Sequence, residues 1–178
     1  MKSVLISIQP KWCELIANGK KTVEVRKTRP KLDVPFKCYI YETKAYDTLF
    51  GKGKPKKLCV GGGKVIGEFV CDCITGLKAD NMVQAYYNNT KDTCLTDEEI
   101  TRYADGKKLY YWHISDLVIY DKPKELGKFW RADKCPYASK NGCTYKYHCF
   151  RAGQINRCGN TLERPPQSWC YVEGDEGK

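Results

Sequence analysis

At 178 residues the chain is long enough to bury a proper core in one domain and still carry an appendage. Its 31 Lys and Arg against 21 Asp and Glu give a formal charge of +10, a surplus that draws in polyanions and says nothing about fold. No apolar run approaches transmembrane length and no signal-peptide core is visible, so the expectation is a cytoplasmic protein with no membrane partner, its 11 cysteines serving as thiols or metal ligands.

In chain order, Val4 to Ile8 alternates and is rich in β-branched residues, which predicts a first strand. Pro10 to Asn18 predicts a short helix, with proline at the first helical position and Trp12, Leu15 and Ile16 at helical spacing. Gly19 stands where a helix turns left-handed at no steric cost. From Thr22 the period becomes two. Val23 and Val25 point one way, Thr22, Glu24 and Arg26 the other, and Lys21 stands at the strand's start. One reading is an amphipathic strand with a solvated, salt-bridged face. The other is a site for an anion or a polar planar group, and three features favour it: the tight helix–Gly–strand turn, the lysine at its rim, and the further bases Lys27, Arg29 and Lys31.

Residues 37–43 read as a strand and 45–63 as a long Gly- and Lys-rich insertion, a mobile basic loop. Its Gly51-x-Gly53 spacing is not a phosphate loop, because no Gly-Lys-Ser/Thr follows and no helix opens there. Residues 64–74 predict one strand bulged at Gly67, with Val65, Phe69 and Cys71 on one face. A helix is expected over 80–89. A second opens at Thr96, with Glu99 completing a capping box, and ends near Ala104 before Asp105-Gly106. Tyr110 to Tyr120 predicts a strand pair or one long bent strand. The bases cluster in three runs: Lys11 to Lys31; Lys52, Lys54, Lys56 and Lys57; and Lys122, Lys124, Lys128, Arg131 and Lys134. Each alone reads as a solvated loop, but together they favour phosphate contact.

The pattern Gly19-x-Lys21-x-x-Glu24-x-Arg26 resembles the signature of ASCH domains, which belong to the PUA-like superfamily. Its flanks agree: Ser7-Ile8-Gln9-Pro10-Lys11-Trp12 before it, then Arg29-Pro30, Cys38-Tyr39-Ile40-Tyr41 and Gly63-Lys64-Val65-Ile66-Gly67-Glu68-Phe69 after it. The similarity spans about residues 2–122. It implies an α+β fold: a PUA-like small mixed β-barrel with flanking helices over 1–124, its interior filled by the rings of 110–120, and a loop-rich, Cys-rich extension over 125–178. It also implies a cleft lined by Lys21, Glu24 and Arg26 that binds RNA or a modified nucleobase or nucleoside, with Arg29 beside it and Trp12 or Tyr41 as a stacking wall. In the family's amidohydrolase branch the lysine works with a threonine two residues before the arginine. Here that position is Glu24, whose charge opposes use of Lys21 as a base. Binding is therefore the favoured reading. A hydrolase acting on RNA or a modified nucleoside, with Lys21 and Glu24 catalytic, is the alternative. His113, between Trp112 and Ile114, reads as structural.

In the extension, Cys135-x7-Cys143-x5-Cys149 with interleaved aromatics resembles the first three ligands of a CCCH-type zinc finger. The resemblance implies structural zinc. The family's fourth ligand, a histidine four residues after the third cysteine, is replaced by Gly153, so Cys158 or His148 would complete the tetrahedron. Reduced core cysteines and a disulfide are the other readings. Cys170, beside Trp169, is expected in the core, and Trp169 itself reads better as packing than as a base-stacking platform.

Overall fold

The computed structural model describes residues 2–49, 56–77, 91–132, 138–139, 142–143 and 161–173. In chain order these form β1 (Lys2–Ile8), α1 (Pro10–Ala17), β2 (Val23–Arg26), β3 (Phe36–Glu42), β4 (Ala45–Leu49), β5 (Lys56–Val60), β6 (Val65–Cys71), β7 (Ile74–Leu77), α2 (Asp97–Ala104), β8 (Leu109–His113) and β9 (Ser115–Lys124). A 3₁₀ turn (Leu126–Lys128), β10 (Ala138–Ser139), β11 (Gly142–Cys143) and β12 (Trp169–Glu173) follow. The architecture is mixed α+β, with few helices.

β1 is the axis of the molecule. It pairs in parallel with β3 and antiparallel with β12, inside a five-stranded sheet of order β12-β1-β3-β6-β9. Parallel pairing requires a crossover, and α1 with β2 supplies it. β1 is apolar on both faces because both are covered. Val4, Ile6 and Ile8 enter one cluster with Ile16, Phe36 and Trp112, while Leu5 enters another with Tyr39, Phe129 and Val172. Each fully buried aliphatic side chain contributes about 1.5–3 kcal/mol. A second sheet, β2-β8-β7, packs Val23, Val25, Leu109 and Tyr111 against Ile100 and Ala104 of α2. Thr96 and Glu99 form the expected capping box on α2.

Several expectations change. The segment 45–63 is not simply loop, for β4 and β5 pair antiparallel from Ala45↔Val60 to Leu49↔Lys56. Strand-forming residues at its two ends outweigh the Gly-Lys centre. The single strand over 64–74 is two: β6 ends at Cys71, and β7 joins the other sheet. Of the two readings of Tyr110 to Tyr120, two strands is the one found: the segment divides at Ile114 into β8 and β9, which lie in different sheets. The boundary expected at 124/125 does not mark the edge of the central sheet, because β12 pairs along β1 from Lys2↔Glu173 to Ile6↔Trp169. Cys170 is buried as expected. The helix expected over 80–89 and the proposed zinc ligands Cys135, Cys149, Cys158 and His148 lie outside the described residues, and of Cys143 only the backbone, in β11, is described. Among the described residues no helix is long and apolar enough to cross a membrane, and none of the His, Cys, Asp and Glu groups could hold a metal.

Candidate functional site

The turn from α1 into β2 sets the site. Gly19 takes φ +67° with open space around its Cβ position, so glycine is needed there for backbone conformation alone. The amides of Lys20 and Lys21 donate back to Leu15 O at 2.9 and 3.0 Å, closing the helix and swinging Lys21 inward. β2 then pairs with β8, from Val23↔His113 to Arg26↔Tyr110. Alternation holds, but both faces are covered and all four residues of β2 are buried. The face carrying Glu24 and Arg26 is therefore no solvated salt-bridge surface.

Three charges meet there. Lys21 Nζ donates to Thr93 O at 2.7 Å and lies 3.4 Å from Glu24 Oε2. Glu24 Oε1 is 3.0 Å from Arg26 Nη2, which also donates to Ser7 O at 2.6 Å. The side chains are 2% (Lys21), 8% (Glu24) and 11% (Arg26) exposed, which puts the trio where removal of one partner leaves a buried charge uncompensated. Two cations against one anion leave a surplus of one positive charge. Arg26 Nε is buried and has no hydrogen-bond partner among the described residues. Buried donors are nearly always paired, and among the described side chains Trp112 Nε1 in the core is the other exception. The carbonyl facing Lys21 is presented by a bent segment. Cys94 takes φ +55°, unusual for a residue with a side chain, and its Sγ donates to Lys20 O at 3.3 Å.

The trio lies on the wall of an open cavity of about 760 Å³, within the range of ligand pockets. Ser7, Gln9 and Trp12 line it from the β1–α1 junction, and Leu95, Glu99, Arg102 and Tyr103 line it from α2 and its approach. Pro165, Pro166 and Gln167 close another side. Cations sit on both rings: Lys11 Nζ lies 4.3 Å and Lys21 Nζ 5.3 Å from the Trp12 centroid, and Lys27 Nζ lies 5.1 Å from that of Tyr103. Burial pushes the Tyr103 phenol up, against a lowering pull from Arg26. Tyr103 therefore stays protonated at neutral pH, an aromatic face with a hydroxyl donor.

The structure brings Trp12, Lys21, Glu24 and Arg26 to one cavity. Arg29 is exposed on the loop after β2 and does not line it. Tyr41 is on the opposite face of the sheet, buried with Leu5, Tyr39 and Val65, because alternation along β3 sends it away from the cavity. His113 is half-exposed outside the cavity, its Nδ1 2.7 Å from Asp72 Oδ1. Glu68 pairs with Lys37 and Tyr120 on the central sheet, while Glu99 lines the cavity and lies 3.8 Å from Lys11 Nζ. Sequence reasoning missed Ser7 as a backbone acceptor, Thr93, and the pair Arg102–Tyr103. The last had a signal: on a helix whose Ile100 and Ala104 point to the core, Arg102 stands on the opposite face and Tyr103 at the edge between them.

The charged trio and the two aromatic rings thus share one cavity of a mixed α+β fold. The ASCH domain pattern matches residues 6–111, more than half of the chain, and the protein belongs to the ASCH domain family, which is associated with RNA binding. Similar solved structures include the ASCH protein of Zymomonas mobilis, at TM-score 0.57 and 19% identity over 98% of this chain and 90% of that one. Its tyrosine-to-phenylalanine mutant gives TM-score 0.58 at 19% identity over 99% and 94%, and its serine-to-alanine mutant 0.59 at 18% over 98% and 90%. At these identities the likeness concerns the fold. No curated protein matches the chain.

Proposed function

We propose that the cavity binds a nucleobase, presented by single-stranded RNA or as a modified nucleoside, and that the domain is PUA-like, its two larger sheets being parts of one curved barrel. The base stacks on Trp12 or Tyr103, an arrangement worth about 1–3 kcal/mol per base. Arg26 Nε donates to a base carbonyl or ring nitrogen. The remaining lone pairs of Glu24 accept an amino or imino hydrogen. Arg102 on the cavity wall, with Lys11 and Lys27 over the Trp12 and Tyr103 rings, meets flanking phosphates. The unpartnered, buried Arg26 Nε at the cavity wall carries this reading. Lys21 supports binding over hydrolysis: its ammonium is spent on Thr93 O and set against Glu24, the posture of a fixed donor and not of a proton acceptor.

The test is fluorescence anisotropy with a labelled single-stranded RNA. Loss of a hydrogen bond to a charged donor is worth about 1.5–3 kcal/mol, so Arg26→Ala is expected to weaken binding about 10- to 150-fold. Arg26→Lys keeps the charge but lacks Nε, and is expected to fall in the same direction while retaining the fold by circular dichroism. Unchanged affinity in a folded Arg26→Lys protein overturns the proposal. Turnover of the RNA, abolished by Lys21→Met, would establish the hydrolase instead.

A further inference from the structure

One wall of the cavity comes from far along the chain. Pro165, Pro166 and Gln167 line it, although the ASCH pattern ends at residue 111. Two consecutive prolines carry no N–H and hold φ fixed, so their own amides cannot join a neighbouring strand. Carbonyl oxygens must hold such a segment, and Ser7 supplies the donors. Its hydroxyl donates to Pro166 O at 2.7 Å and its amide to Ser168 O at 2.9 Å. Its own carbonyl accepts from Arg26 Nη2 at 2.6 Å. A single buried serine thereby ties the tail wall to the charged trio. From Trp169 onward the tail is β12, locked along β1. Trp169 Nε1 adds a bond to Thr28 Oγ1 at 3.0 Å. Gln167 sits between the two tethered carbonyls, exposed and lining the cavity. Its amide offers donors and an acceptor side by side, the pattern with which glutamine reads a base edge.

We infer that Gln167 is a specificity-determining residue that contacts the edge of the bound base, and that Ser7 is a positioning residue that holds it against the cavity. This rests on the nucleobase reading above. The wall lies outside the matched family region, so it sets which base this chain prefers, while the Lys21–Glu24–Arg26 trio supplies general affinity.

The experiment measures affinities of the full chain for the RNA pentamers rA5, rC5 and rU5. Wild type is expected to discriminate among the three. Gln167→Ala is expected to shrink the largest ratio about two- to tenfold, the worth of one neutral hydrogen bond. Ser7→Ala is expected to do the same, with little further loss in the double variant, because both act through one contact. Arg26→Lys is expected to weaken all three pentamers. If Arg26→Lys weakens all three while Gln167→Ala leaves the ratios at wild-type values, the wall inference alone is wrong. If wild type shows no preference, the wall inference is equally wrong. If Ser7→Ala lowers the melting temperature with the ratios intact, Ser7 is structural and its positioning role is refuted. If wild type binds none of the pentamers, or Arg26→Lys weakens none, the nucleobase reading falls and takes this inference with it.

Discussion

Two carboxylates on neighbouring sheets show how position changes the meaning of the same chemistry. Glu24 and Glu68 each sit on a strand beside a lysine, and each has a second donor. Glu68 reaches Lys37 across the β3–β6 pair at 2.8 Å and also Tyr120 on β9, with Lys37 43% and Glu68 22% exposed. Glu24 reaches Lys21 and Arg26 with all three partners nearly out of water. In the half-wet case each charge keeps much of its hydration, and the pair adds little. In the dry case removing one member leaves its partners charged, desolvated and unopposed. The surface pair decorates a sheet, whereas the buried trio constrains the fold and leaves Arg26 Nε without a partner among the described residues.

The largest effect follows from that difference. Glu24→Ala should cost about 3–5 kcal/mol of stability by leaving Lys21 and Arg26 buried without their anion. Glu68→Ala should cost about 1 kcal/mol or less. Urea denaturation midpoints at one salt concentration measure both. Equal losses would mean that the trio is far wetter than its geometry indicates. The comparison sharpens in binding. Trp12→Ala should weaken RNA affinity by about 1–3 kcal/mol through lost stacking, while Tyr120→Phe, which removes the hydroxyl bound to Glu68 outside the cavity, should leave it unchanged. An equal loss in both variants would show RNA spread over the sheet rather than seated in the cavity.

Local signals in the sequence were sufficient where local physics decides. Pro10, the 3.6 spacing and Gly19 fix α1 and its exit, and Thr96 with Glu99 fixes the start of α2. The pairing of Glu24 with Lys21 and Arg26 was visible as spacing. Its dryness was not, because the groups that meet Lys21 and Arg26 there, the carbonyls of Thr93 and Ser7, are remote along the chain. Tyr41 departs from its expected place for a related reason. An aromatic next to a motif suggests a stacking wall, but the face it occupies depends on register with β1 and β6, and that register sends it toward Leu5 and Val65. The break at Asp72-Cys73 leaves no local mark, because β6 and β7 are each plausible strands and only their division between two sheets separates them. The return of β12 to β1 had no sequence signal beyond the apolar Trp169-Cys170 pair.

The smallest effect concerns acid. Burial raises the Glu68 carboxyl, but hydrogen bonds from Lys37 and Tyr120 outweigh it and hold the group below its usual range. Asp72 is likewise lowered, chiefly by its bond to His113. A carboxyl lowered in the folded state is less protonated there than in the unfolded chain as pH falls toward about 4, so stability rises with pH in that interval. The contribution is fully present above the unfolded carboxylate value and disappears as pH drops through the folded one. The stability gap between wild type and Glu68→Gln should therefore be constant from neutral pH down to about 5, then narrow toward zero under stronger acid. Measuring that gap by chemical denaturation across the interval checks the sign. A gap that widened on acidification would mean that the folded state raises this carboxyl, and the contrast with Glu24 would have to be drawn on burial alone.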